Sequence, residues 1–178
     1  MTISMYKSSV DIFTQFLGSL SDLLDHAAAH AMANKIDPAI LLNARLYPNM
    51  YSLASQVEEA NRHAVRACAL LAGVAAPAFP DTTPDIAELK VRIATAVEFI
   101  NGLQPAHING TENKEVVFTF RNGTERRFTG QSLLLTFSVP QFFFHVTTAY
   151  GILRHCGVPL VKKDFLGTPR QSSEDCPA

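Results

Sequence analysis

Histidines and their spacing are the first residues in this chain that could do chemistry. His26 and His30 stand four positions apart in a stretch with helical periodicity. That spacing separates two side chains by about 40° around a helix axis and about 6 Å along it, so two imidazoles can chelate one divalent ion. The pair is incomplete as a metal motif, because an ion takes three or four ligands and Ala27-Ala28-Ala29 lacks the internal glutamate of the metalloprotease helix. Its other reading is a pair of rim histidines favoured by the negative end of a helix.

His145 is flanked by Phe142, Phe143 and Phe144, so its ring is expected to be drawn into apolar surroundings and to need a hydrogen-bond partner. It reads either as a satisfied core histidine or as a pocket residue with a low-affinity metal role. His155, ten residues on, lies about 80° off that face and about 15 Å away along the axis. The two cannot share an ion. Cys156, about 16 Å from His145, cannot form a Cys/His nucleophilic pair with it within the same helix. Asn49 and Gln56 are seven residues apart and project to one side of a helix, where they or Tyr150 can face His145 across an interhelical pocket. They could equally bond backbone or solvent.

The elements that must position these residues are mostly helices. Val10, Phe13, Phe16, Leu17, Leu20, Leu24, Ala27 and Ala31 make an apolar stripe in a first helix over about 3–34. Asp37-Pro38 starts a short helical turn to about Ala44, and Pro48 is expected to open a second long helix that ends at Gly73. Its stripe of Tyr51, Ala54, Val57, Ala60, Ala64, Ala67 and Leu71 is rich in alanine and implies close helix approach. After the proline-containing loop 74–84, Thr83 as cap and Pro84 at the first position predict a third helix to Gly102. The period then changes to two through Val116, Phe118 and Phe120, and Asn122-Gly123 is a strong two-residue hairpin signal. A fourth helix is expected to begin at Pro140 and to run to His155 or Cys156, with Gly157 as its stop. The reading is a mainly α fold: an up-down four-helix bundle with a β-hairpin inserted before the last helix, in one domain over 1–167. The polar tail 168–178 is expected to be disordered.

Composition narrows the function classes without choosing one. In 178 residues, 47% are hydrophobic and 17% charged, with 15 Lys+Arg against 16 Asp+Glu for a formal net charge of −1. A core of this size needs no staples. No basic cluster marks a nucleic-acid or anionic-membrane partner, no apolar run reaches membrane-spanning length, and no phosphate-cradling glycine loop occurs. Three cysteines, Cys68, Cys156 and Cys176, argue against a disulfide framework and for a reducing, cytoplasmic location. The apolar share, with runs at Phe142–Phe144 and Leu133–Leu135, suggests a homodimer.

Two blocks carry a family resemblance. The stretch from Phe144 to His155 with Gly157-Val158 and Lys163-Asp164-Phe165-Leu166-Gly167 is one; Lys35 to Met50, KIDPAILLNARLYPNM, with the LASQV that follows, is the other. Together they resemble a domain-of-unknown-function family of small bacterial and fungal proteins within the DinB/YfiT-like superfamily of four-helix bundles, a likeness spanning residues 1–167. The resemblance implies a divalent metal held by one histidine of helix two and an H-x-x-x-H pair of helix four. Here Ala149 follows His145 at i+4, and the start of helix two carries Asn49, Ser52 and Gln56, so two of three ligands are expected to be missing. Relatives more often carry an Asp where Asn49 stands. The leading expectation is therefore a small-ligand-binding or degenerate enzyme-like module with an incomplete metal site, using Asn49, Gln56, His145 and Tyr150, with at most a weakly held Zn²⁺ or Ni²⁺ on His145. The alternatives are a metal- or thiol-dependent hydrolase or transferase built on the His145 pocket, and an interaction protein without chemistry.

Overall fold

A computed structural model describes residues 3–80 and 82–169; the sequence-predicted tail from residue 170 onward, with Cys176, lies outside the described residues. A π-type turn, Lys7–Asp11, leads directly into α1, Ile12–Asn34. α1 buries Phe13, Leu17, Leu20, Leu24, Ala27 and Ala31, the predicted stripe, and ends where Lys35 turns left-handed at φ 54°. Asp37 caps the short α2, Pro38–Asn43, by accepting from the Ala39 amide at 2.9 Å.

α3, Leu53–Ala72, begins five residues later than Pro48 suggests. Ser52 is extended and its hydroxyl accepts from the Ser55 amide, so the helix starts where a capping oxygen is available rather than at the proline. Asn49 consequently sits in the exposed turn before the helix instead of on its face. At the other end Gly73 closes α3 with φ +72°. α4, Ile86–Asn101, also starts two residues later than expected: Asp85, not Thr83, is its cap, bonding the Glu88 amide at 2.8 Å. A single turn, α5 (Pro105–Ile108), follows.

The hairpin pairs β1, Glu115–Thr119, with β2, Glu125–Thr129, antiparallel, with Val116 opposite Phe128 and Phe118 opposite Arg126. Its turn is one residue longer than the Asn122-Gly123 signal implies. Gly123 N–H bonds Phe120 O at 2.9 Å, Phe120 N–H bonds Thr124 O at 2.8 Å, and Gly123 has φ +80°, so three residues make the loop and glycine supplies its left-handed position.

The last helix departs most from expectation. Thr129 caps a short α6, Gly130–Ser132, which passes through a π-type segment, Leu133–Ser138, into α7, Val139–His155. Pro140 therefore lies inside a continuous helical run instead of starting it. Proline in an α-helix lacks an N–H and its ring meets the carbonyl four residues back. Here the Val139 N–H reaches back five residues to Leu134 O, and this wider turn makes room for the ring. Gly157, at φ +85°, stops α7, and α8 (Lys162–Leu166) folds back against α1.

α1, α3, α4 and α7 form the helical bundle, with α3 packed on α7 and α4, and α1 on α4. Phe142 is fully buried edge-on to Phe13, their ring centroids 5.0 Å apart. Of the two apolar runs, Leu133, Leu134 and Phe142 are buried while Leu135 and Phe144 stay about half exposed. The hairpin lays Val116 and Phe118 over Leu133, with Leu70 and Phe137 alongside, as a second small core outside the bundle.

Candidate metal centre

Gln56, Glu59 and His63 follow one another at spacings of three and four on α3, which places all three along the flank that faces α7 and the hairpin. His145 comes from the second turn of α7. Its Nδ1 lies 2.7 Å from Gln56 Oε1, and the Gln56 amide nitrogen in turn donates to Tyr51 O at 3.3 Å. A backbone carbonyl only accepts, so the amide's nitrogen must face Tyr51 and its oxygen must face the histidine. That oxygen also only accepts, so Nδ1 carries the proton and Nε2 keeps its lone pair. Gln56 thus sets His145 in the tautomer that can ligate a metal through Nε2.

The His63 ring lies nearly parallel to that of His145, at 17° with centroids 5.6 Å apart, and the Tyr51 ring lies within 23° of parallel to the His145 ring at 6.4 Å. One donor atom from each of Glu59, His63 and His145 lies within 4.8 Å of the others, and these three are the one such group of His, Cys, Asp and Glu among the described residues. Burial, and then the neighbouring His145 and Arg66, lower the His63 pKa from 6.5 to about 4. Burial also lowers that of His145, against a smaller opposing pull from Glu59. Both imidazoles are therefore neutral at physiological pH, as a metal requires of them.

One carboxylate and two imidazoles make a donor set that Zn²⁺ and Ni²⁺ accept. Two features set its strength. Tetrahedral ligands at zinc bond lengths lie roughly 3.3 Å apart, so the three groups must draw together to close on an ion. Glu59 is also shared: Arg62 and Arg121 both bond its Oε1, at 2.7 and 2.6 Å, while neither bond falls on Oε2. The residues fit a divalent ion held loosely, with Oε2 as the oxygen to offer.

This group lines a cleft of about 560 Å³ whose other wall is the hairpin, through Phe118, Phe120, Arg121 and Arg126. Of the sequence-predicted pocket residues, Gln56 and His145 meet here. Asn49 is exposed in the loop before α3, and Tyr150 faces away, its ring 5.7 Å from that of Phe165. Tyr51 takes the place expected of Tyr150. The start of helix two carries no such ligand, as expected from Asn49, Ser52 and Gln56, but candidate ligands Glu59 and His63 lie two to three turns into α3, beyond the helix start where one was sought. The signal was present as Glu59-x-x-x-His63, an i, i+4 pair on the helix that already carried Gln56. His26 is exposed and His30 bonds Asn34, so neither joins a cluster. His155 is exposed at the end of α7.

Fold and site together define a DinB-like helical bundle, with a candidate metal centre where its second and last long helices meet the hairpin. The chain belongs to the family described as Domain of unknown function (DUF1993), whose model matches residues 5–166. Among solved structures, a DinB family member protein from Shewanella denitrificans is similar to it, with a TM-score of 0.84 and 33% identity over 94% of this chain and 95% of that one. No curated protein matches it.

Proposed function

We propose that this protein is a small-ligand-binding module whose cleft carries a weakly held divalent ion, Zn²⁺ or Ni²⁺, on Glu59, His63 and His145. The observation that carries the reading is the convergence of three donor atoms within 4.8 Å, from two helices, on the wall of an open cleft. Gln56 supports it by orienting the His145 ring. The test is metal content of untagged protein by elemental analysis, followed by Zn²⁺ and Ni²⁺ titration of the chelator-stripped chain. Wild type should take up close to one equivalent, and His63→Ala and His145→Ala should lose it; equal uptake by the variants would refute the assignment.

A second reading, a metal-dependent hydrolase or transferase, is favoured by the composition of the donor set, since two histidines and a glutamate with an open position are a hydrolytic zinc arrangement. A bound ion there would supply Lewis-acid polarisation of a ligand oxygen or of water. The chain's own part is to hold two neutral imidazoles and one carboxylate oxygen toward the cleft, with Phe118, Phe120 and Phe137 as an apolar wall. Among the described residues nothing favours a thiol nucleophile. Burial pushes Cys68 up to about 12 and raises Cys156, and neither lines the cleft. The same reading keeps the chain in the cytoplasm as a homodimer, supported by unpaired Cys68 and Cys156 and by the half-exposed Leu135 and Phe144. Among the described residues no helix is long and apolar enough to cross a membrane.

A further inference from the structure

We propose that the ligand of this cleft is an oxyanion, a carboxylate or phosphate on an aromatic or apolar body, held by Arg66 and Arg126 beside the metal centre. The proposal rests on the reading of the cleft as the ligand site and names the class of ligand it takes. Its basis is an imbalance of charge. The chain as a whole has a formal net charge of −1, yet the cleft collects four arginines against one carboxylate, Glu59. Arg62 and Arg121 spend themselves on Glu59. Arg66 and Arg126 do not: among the described residues neither has a salt bridge.

Those two guanidiniums are already held in place. Arg66 lies 4.0 Å above the Phe118 ring and donates to Thr119 O at 2.7 Å, while Arg126 lies 5.3 Å from the Phe120 centroid. The two rings are neighbours, packed edge to face at 65° with centroids 5.1 Å apart, so both cations sit against one aromatic pair. A guanidinium held against a ring keeps in-plane N–H groups to donate, and Arg66 retains N–H groups beyond the one it gives to Thr119 O; these are the donors a carboxylate or phosphate accepts. Burial lowers the Arg66 pKa against a smaller opposing pull from the Glu59 charge, so the guanidinium has given up part of its water without a direct ion pair. The aromatic pair in turn supplies contact area for an apolar body attached to that anion.

The hairpin is what makes the site. β1 brings Phe118, the loop after it Phe120, and β2 Arg126, which is cross-strand from Phe118 and so on the same face. Arg127, on the opposite face, pairs instead with Glu115 at 2.5 Å and serves as a control.

The experiment titrates chelator-stripped protein with benzoate, phenyl phosphate and neutral benzyl alcohol, by calorimetry and ligand-observed NMR, at low salt and at ~0.1 M salt, where charges are screened beyond ~10 Å. At least one anion should bind roughly 10- to 100-fold more tightly than benzyl alcohol, the range that one or two charge-assisted hydrogen bonds give, and should weaken as salt rises. Which of the two anions binds distinguishes carboxylate from phosphate. Arg126→Gln, at an exposed position, should bring the anion down toward the neutral compound, and Arg66→Gln should do the same; Arg127→Gln should leave binding unchanged. Arg126→Lys should restore binding only partly. Equal binding of anion and alcohol, no binding by either anion, or an equal loss in Arg127→Gln would overturn the proposal. Because the protein is metal-free in this assay, anion binding by a chain that takes up no metal would retain this inference and reject the metal centre. Metal uptake without anion binding would do the reverse.

Discussion

Replacing Gln56 with leucine tests how the bundle prepares its histidine. The Gln56 side chain is buried, and its Oε1 accepts the proton of His145 Nδ1 at 2.7 Å. Leucine fills a comparable volume but accepts nothing, which leaves His145 two choices. If it keeps its proton on Nδ1, a donor is stranded in an apolar pocket, at about 1–3 kcal/mol. For a chain of this length that corresponds to a fall in Tm of roughly 2–12 °C. If it moves the proton to Nε2, the stranded atom becomes an acceptor, the cleft-side nitrogen gains a hydrogen, and the lone pair an ion needs is lost. Either way the metal site suffers, and loss of such an orienting partner lowers affinity by about 10- to 100-fold. Thermal unfolding with and without Zn²⁺ measures both effects in one experiment. Wild type should show an ion-induced rise in Tm that Gln56→Leu largely lacks, while Gln56→Glu, which still presents an accepting oxygen, should recover most of it. If Gln56→Leu unfolds at the wild-type temperature and keeps the full Zn²⁺ shift, the tautomer argument is wrong.

Three further outcomes follow from the same geometry. In chelator, stability should decline as pH falls from 6.5 toward 4, because the unfolded chain protonates His63 through that window and the folded one does not; above 6.5 this contribution is fully present, and about 3 kcal/mol of it should be gone below pH 4, measured by urea unfolding against a His63→Leu reference whose slope is shallower and comes in part from His145, also lowered by burial. Arg92, whose side chain is 7% exposed, bonds Glu58 and Glu88 at 2.6 Å and Thr82, so Arg92→Met should cost about 1.5–3 kcal/mol by denaturant titration and loosen loop 74–84 to proteolysis. Gly130→Ala should be disruptive out of proportion to one methyl group, since a Cβ there would stand 2.1 Å from Thr111 O; a loss of about 1–3 kcal/mol or more is expected, and a wild-type Tm would contradict the packing described.

What the amino-acid sequence determined unaided is the part of this protein written in short-range terms. Apolar residues at spacings of three and four specify α1, α3, α4 and α7, because a helical stripe buries the same residues whatever it meets. The change to period two at Val116, and the glycine that must turn left-handed at 123, likewise specify the hairpin from local geometry alone. His145 was legible as a buried ring in need of a partner because three phenylalanines surround it. Local rules also misled where two of them competed. Pro140 reads as a helix start, yet a π-type turn absorbed it, and Pro48 reads as a helix start although the hydroxyl that caps α3 belongs to Ser52.

The site itself belongs to the tertiary structure. Glu59 and His63 are an unremarkable polar pair on a helix flank until α7 brings His145 within ligand distance of them, 82 residues beyond His63 in the sequence, and no periodicity encodes that approach. The choice of Gln56 over Asn49, and of Tyr51 over Tyr150, was likewise made by where α3 begins and how α7 is rotated against it. Charge shows the same division. A chain balanced to −1 overall conceals four arginines gathered from α3 and the hairpin, because net charge is a sum over residues while a binding field depends on which of them share a wall.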